Sequence, residues 1–195
     1  HWMVHSFPTR RSSDLIVITG VGGGASVIMA DEFTHAGLVL PRLGDALRKS
    51  LIDVFASEAG RIFKNPVDLN DFGSAETFFK IMRTLDASEE ADLLAIHIAF
   101  DHFGLISAEE KALLIGLYLK VIGRIRREVT KPLAIILHSY ATEATRKLAY
   151  DAGKELTARG FAVFPSIQRA AVALGKFVRY HERHQAFAES DRLDS

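Results

Sequence analysis

Short, nearly uninterrupted runs of aliphatic and β-branched residues alternate along this chain with helix-length segments, and this alternation limits its fold more than any other property. A strand that is apolar on both faces has to be covered on both faces, and a parallel sheet with crossover helices provides that cover. IVIT at Ile16 to Thr19, ADLLAIHIAF ending at Phe100 and LAIILH ending at His138 are the strongest such runs. All fall short of the roughly 18 apolar residues that span a bilayer.

In chain order, the pattern predicts a strand at Ile16 to Thr19 and a helix from about Ala25 to Ala36 closed by Gly37. A short strand at Leu38 to Leu40 and a helix from Asp45 to Phe55 follow, then a brief strand at Arg61 to Phe63. Ser74 is expected to cap a helix running to about Leu85, with Glu76 in its first turn. A central strand at Asp92 to Ala99 leads to the longest helix, Ala108 to Val129. A strand at Pro132 to His138, a helix at Glu143 to Arg159, a strand at Phe161 to Phe164 and an amphipathic helix from Ile167 to about Arg183 complete it. With right-handed crossovers this is an α/β fold: a doubly wound, mostly parallel sheet, flavodoxin-like in strand count, with helices on both faces.

The chain has 195 residues, enough for one domain, here placed at residues 16–183 and followed by a polar tail, 184–195. The first fifteen residues, HWMVHSFPTRRSSDL, have no hydrophobic period and resemble translated sequencing-adapter read-through. They are expected to be a disordered artefact standing where further native sequence belongs; an Arg- and Ser-rich transit peptide is the other reading. Lysine plus arginine and aspartate plus glutamate both number 24, so no basic excess suggests a nucleic-acid partner. The absence of cysteine excludes disulfides and thiolate chemistry and fits a cytoplasmic protein.

The sharpest local feature is TGVGGGAS, Thr19 to Ser26, between the first strand and the first helix. In such sheets ligands bind at the carboxyl ends of the strands, where this loop must lie. Gly22, Gly23 and Gly24 permit close approach of backbone amides to an anion, and the following helix N-terminus at Ala25 and Ser26 favours the same charge. Ser26 can add a hydroxyl donor. The plainer reading is that the glycines only allow a tight turn. The loop also matches G-x-G-x-x-A through Gly20, Gly22 and Ala25, which raises a Rossmann-type NAD(P)-binding alternative. The second strand, however, ends Leu40-Pro41-Arg42, without the ribose-binding acid. No Lys-Ser or Lys-Thr follows the glycines, so this is not a P-loop, and no acids end the first strand to hold magnesium.

Read together, ITGVGGGASVIMADEFTHAGLVL, the NPVDL element at Asn65 to Leu69 and the closing FAVFPSIQRAAVALGKFVRY resemble the third, flavodoxin-like domain of NDP-forming acyl-CoA synthetases. That family is similar to succinyl-CoA synthetase. The resemblance implies interconversion of acyl-CoA, NDP and phosphate with acid, CoA and NTP through a phosphohistidine lying outside this chain. It also implies that Gly22, Gly23, Gly24, Ala25 and Ser26 form this domain's share of a phosphate cradle, supported by Asn65 and Asp68. CoA, ATP or ADP, and Mg would be bound by the complete enzyme and none by this chain alone. The implied partners are the CoA-binding, phosphohistidine and ATP-grasp domains, with no nucleic acid or membrane. As a fragment of an acid–thiol ligase the chain is not expected to be active alone. It has no Ser-His-Thr-Gly segment, and His138-Ser139-Tyr140 replaces the family's Gly-rich turn. The family's ligand-sensing relatives fused to protein acetyltransferases offer a regulatory alternative.

Among the chain's own histidines, His97, His102 and His138 lie near the expected crevice and, with Asp101, suggest a metal or phosphoryl site; buried neutral histidines are the commoner case. His181 and His184 are spaced one residue too closely for a His-Glu-x-x-His zinc motif. On Ala108 to Val129 a core stripe runs through Leu114, Tyr118, Val121, Ile122 and Ile125. Leu113, Ile115, Leu117 and Leu119 fall elsewhere, which predicts either deep packing or a docking face.

Overall fold

The computed structural model describes residues 15–55, 60–69, 74–101 and 107–193. Six strands form one sheet in the order β2-β3-β1-β4-β5-β6. β1 (Ile16–Gly20), β4 (Leu93–Ala99), β5 (Leu133–His138) and β6 (Ala162–Phe164) are parallel neighbours, and β3 (Val67–Asp68) lies parallel on the other side of β1. Only β2 (Ile62–Phe63) is antiparallel, against β3. The helices are α1 (Gly23–His35), α2 (Asp45–Phe55), α3 (Ala75–Ala87), α4 (Ala108–Glu128), α5 (Glu143–Ala158) and α6 (Ile167–Leu193).

The alternation of side chains along each strand divides the core in two. Ile16, Ile18, Leu93, Ala95, Ala134 and Ile136 pack against Met29 and Phe33 of α1 and Ala170, Ala171 and Leu174 of α6. On the opposite face Val17, Leu94, Ile96, Ile135 and Leu137 meet α2, α3, α4 and α5. Both faces are therefore covered, as apolar strands require.

Helix ends follow local chemistry. Ser74 caps α3 by accepting from the Thr77 amide, and Ser107 and Thr142 form capping boxes at α4 and α5. After α1, Gly37 takes φ 83°, and its amide donates to Thr34 while that of Leu38 donates to Phe33. Gly160 closes α5 in the same way, and both are Schellman motifs in which the positive φ suits glycine.

Four expectations need correction. Leu38 to Leu40 form no strand; only Val39 bridges to Leu15. Val67–Asp68, absent from the expected strands, is a strand of the sheet. α6, at 27 residues, is longer than α4, at 21, and runs past Arg183 into the segment read as a tail. Leu15, grouped with the leading segment, belongs to the fold: its carbonyl accepts from the Asp92 and Leu93 amides. The rest of the leading segment lies outside the described residues.

The edge of β1 away from β4 is completed by two pieces of chain, Val39 and the segment from Asn65 to Leu69. The Ile16 amide donates to Val39 at the start, and Leu69 donates to Gly20 at the end. Between them the Asn65 side chain acts as a substitute strand, its Nδ2 donating to Ile16 O at 2.7 Å and its Oδ1 accepting from Ile18 N at 3.1 Å. A two-residue strand can thus serve β1 because an amide side chain carries both a donor and an acceptor.

Candidate functional site

The sheet order places β1 next to β4, with chain continuing to opposite sides of that pair, and the carboxyl ends of these strands form the topological switch point. The glycine loop lies there. Gly22 takes φ 108° at the N-cap of α1, a backbone state that a β-branched residue resists. The first helical bond runs from Ser26 N to Gly22 O at 3.0 Å. The amides of Gly23, Gly24 and Ala25 precede it and have no acceptor among the described residues. Gly23 and Gly24 are exposed.

Asp68, at the end of β3, reaches the same loop. Its Oδ1 accepts the Gly22 amide at 3.1 Å. A Cβ on Gly23 would stand 3.5 Å from its Oδ2, so the carboxylate lies beside the helix N-terminus. The Ser26 hydroxyl turns back to donate to Gly22 O at 3.3 Å. Asn65 is not in the loop; its side chain is committed to β1. Gly22 to Ser26 and Asp68 are therefore brought together, with Asn65 one step behind.

Beside the loop, Gly20, His97 and His138 form a row across β1, β4 and β5 on the α1 face. A Cβ on Gly20 would come within 3.0 Å of His97 Cβ, so glycine makes room for the ring. His97 Nε2 and His138 Nδ1 are 3.1 Å apart. Both rings are buried, and His138 Nε2 has no hydrogen-bond partner among the described residues. Burial pushes the His138 pKa down, opposed by the Asp101 charge. The pair is packed beneath the turn that follows β5, where the Tyr140 ring meets the His138 ring edge to face with centroids 4.1 Å apart.

Asp101 organises the turn before α5. It accepts from Ser139 Oγ at 2.8 Å, from the Tyr140 and Ala141 amides, and from Thr145 Oγ1. Burial raises its pKa, but these donors outweigh it and the net direction is down. His102 lies outside the described residues. No group of three or more metal-ligating side chains occurs among the described residues. His181 meets the rings of Phe177 and Tyr180 edge to face within α6.

Two exposed apolar groups stand out. Val27 and Ile28, directly after the loop, are 71% and 48% exposed. On α4, Leu119 is buried and Ile115 packs against the core, whereas Leu113 and Leu117 are 75% and 42% exposed. The Asn65 clasp on β1 and the Asp101 cap left no pattern in sequence, since each joins residues about forty or more positions apart.

Neither a protein-family model nor a curated protein sequence matches the chain. Its fold is shared with PH0766 from Pyrococcus horikoshii OT3, at TM-score 0.70 and 19% identity over 92% of this chain and 37% of that one. The apo form of Ca. Korarchaeum cryptofilum dinucleotide forming acetyl-coenzyme A synthetase 1 aligns at TM-score 0.68 and 17% identity, over 94% and 36% of the two chains. The same synthetase in complex with phosphate and ADP aligns at TM-score 0.69 and 17% identity, over 96% and 37%. At these identities the likeness is one of fold. The chain spans a little over a third of each of these longer proteins.

Proposed function

We propose that this chain is the flavodoxin-like domain of an NDP-forming acyl-CoA synthetase, and that its glycine loop supports phosphoryl transfer through a phosphohistidine carried elsewhere in the enzyme. The observation that supports this most is the bare N-terminus of α1: three amides with no internal acceptor at the switch point, two of them on exposed glycines. Such a terminus stabilises an anion without offering a competing nucleophile. Asp68 fixes the loop through Gly22 and does not contact the phosphoryl group, since like charges repel.

The apolar residues around the loop fit the same role. A phosphohistidine needs water excluded, and Val27 and Ile28 beside the amides form a rim that a neighbouring domain would cover. Leu113 and Leu117 on α4 supply a second contact of that kind. The acyl-CoA, the nucleotide and Mg would occupy the other domains.

The test is a titration of the isotope-labelled protein with inorganic phosphate, read at the amides of Gly23, Gly24 and Ala25. These should shift together and saturably. Gly24→Asp is the control: a Cβ there meets nothing within 4 Å, and an acid in the first turn stabilises a helix while repelling an anion. Shifts absent at millimolar phosphate, or undiminished in the variant, would remove the cradle from the proposal.

A further inference from the structure

On the face of the sheet opposite α1, a groove of about 690 Å³ runs between α5 and the ends of β5 and β6. Its floor is apolar: Leu137 of β5, Val163 of β6, Ala149 and Gly153 of α5, and Pro165. A Cβ on Gly153 would stand 3.4 Å from Leu137 Cδ1 and 3.8 Å from Val163 Cγ1, so this glycine faces the floor directly. This volume lies within the roughly 300–1,000 Å³ range of small-molecule sites.

The rim carries charge of one sign. Arg146, Tyr150 and Lys154 follow one another at i, i+4 and i+8, so they share a stripe of α5, the two cationic residues separated by about 12 Å of helix rise. No carboxylate lines the groove. Two of the three acids of this helix are engaged elsewhere, Asp151 with Lys147 at 2.8 Å and Glu155 with Arg159, and the third, Glu143, sits in the first turn away from the lining. Arg146 gives one hydrogen bond, to the Tyr140 carbonyl at 3.1 Å. The Lys154 ammonium has no acid partner among the described residues and lies 5.7 Å from the Tyr150 ring centroid. An apolar trough bordered by a cation that has no acid partner among the described residues and by a tyrosine is complementary to a molecule with an apolar body and an anionic head.

We infer that this groove binds a small amphiphilic anion, a carboxylate on an aliphatic body, with Lys154 holding the head and Leu137, Val163 and Pro165 the chain. The site is separate from the glycine loop and does not depend on the synthetase reading.

The test uses the whole protein and the fluorescent probe 8-anilinonaphthalene-1-sulfonate. Saturable one-site binding is expected, reversed by octanoate and much less by octanol or acetate, which lack the charge or the apolar body. Lys154→Glu should weaken octanoate competition about tenfold or more. Thr157→Trp, at an exposed helix position on the lining, should fill the groove and abolish probe binding while α5 stays folded by circular dichroism. Equal displacement by octanol and octanoate would overturn the inference, as would probe binding unchanged in Thr157→Trp. Sedimentation showing a dimer in wild type and a monomer in Thr157→Trp would make the groove a protein interface instead and would equally refute it. The phosphate titration at Gly23 to Ala25 is independent of every one of these outcomes.

Discussion

Asn65 pairs with Ile18 as a neighbouring strand would: its side-chain Oδ1 accepts the Ile18 amide at 3.1 Å, and its Nδ2 donates to the carbonyl two residues earlier. Ile18 is fully buried, so this amide has no access to water as a substitute partner.

Removing the clasp should therefore cost more than an ordinary side-chain bond. Asn65→Ala leaves a buried donor and a buried acceptor unmet and is expected to destabilise the fold by about 2–4 kcal/mol in urea denaturation. Asn65→Asp keeps the acceptor for Ile18 but sets a carboxylate against the Ile16 carbonyl, so it should also destabilise the fold. If both variants match wild type, the edge of β1 is satisfied in another way.

A second prediction concerns the contact between α6 and α1. A Cβ on Gly175 would come within 2.4 Å of the Ala36 carbonyl oxygen, and that carbonyl also accepts from Arg179. Gly175→Ala should force the helices apart and destabilise by about 1–3 kcal/mol. Gly24→Ala, where a Cβ meets nothing, should be neutral or stabilising, because alanine is the better helix former. Thermal melts of the two variants should move in opposite directions or differ clearly in size.

The His138 pKa gives a pH dependence with a definite sign. Burial holds it below its ordinary 6.5, against the pull of Asp101, so the unfolded chain takes up the proton first. This contribution to stability is full above pH 6.5 and is lost as pH falls through the lower folded-state value. His138→Gln should flatten the fall in stability between about pH 6.5 and 5. A slope unchanged from wild type would mean that the imidazole is not held neutral.

Asp101 acts in a more acidic window. Its folded pKa lies below the ordinary 3.8, so its stabilising effect is present above that value and is lost as pH falls further. Asp101→Asn should lower stability at neutral pH by about 1–3 kcal/mol and reduce the acid sensitivity below pH 4. Loosening of the turn at Ser139 to Ala141 would be visible as amide shifts at Tyr140 and Ala141.

Much of the architecture was legible because it depends on local periodicity. Apolar runs such as Leu93 to Ala99 read directly as buried strands, and Ser74 and Gly37 marked helix ends by chemistry that works within a few residues. The failures occur where a distant partner decides the outcome. Leu38 to Leu40 has strand character, yet β1 offers it only Val39's place because Asn65 and Val67 occupy the rest of that edge. The glycine loop was legible as an exposed helix N-terminus with Asp68 as its support, but which amide Asp68 accepts depends on the pairing of β3 with β1. Leu119 looked misplaced on α4 because the helix is sunk deeper against the sheet than a single stripe implies, whereas Leu113 stayed outside. The α5 groove is lined jointly by α5 and by the ends of β5 and β6, a juxtaposition that has no sequence pattern.

The five residues from Asn65 to Leu69 hold the middle of β1 at one end and the turn into α1 at the other. Any transient opening of this short segment therefore exposes the Ile18 amide to exchange and frees the Gly22 amide in the same event. An anion that settled on the loop would slow hydrogen exchange at Ile18 as well as at the glycines. Deuterium uptake at a residue inside the sheet would then report occupancy at its surface.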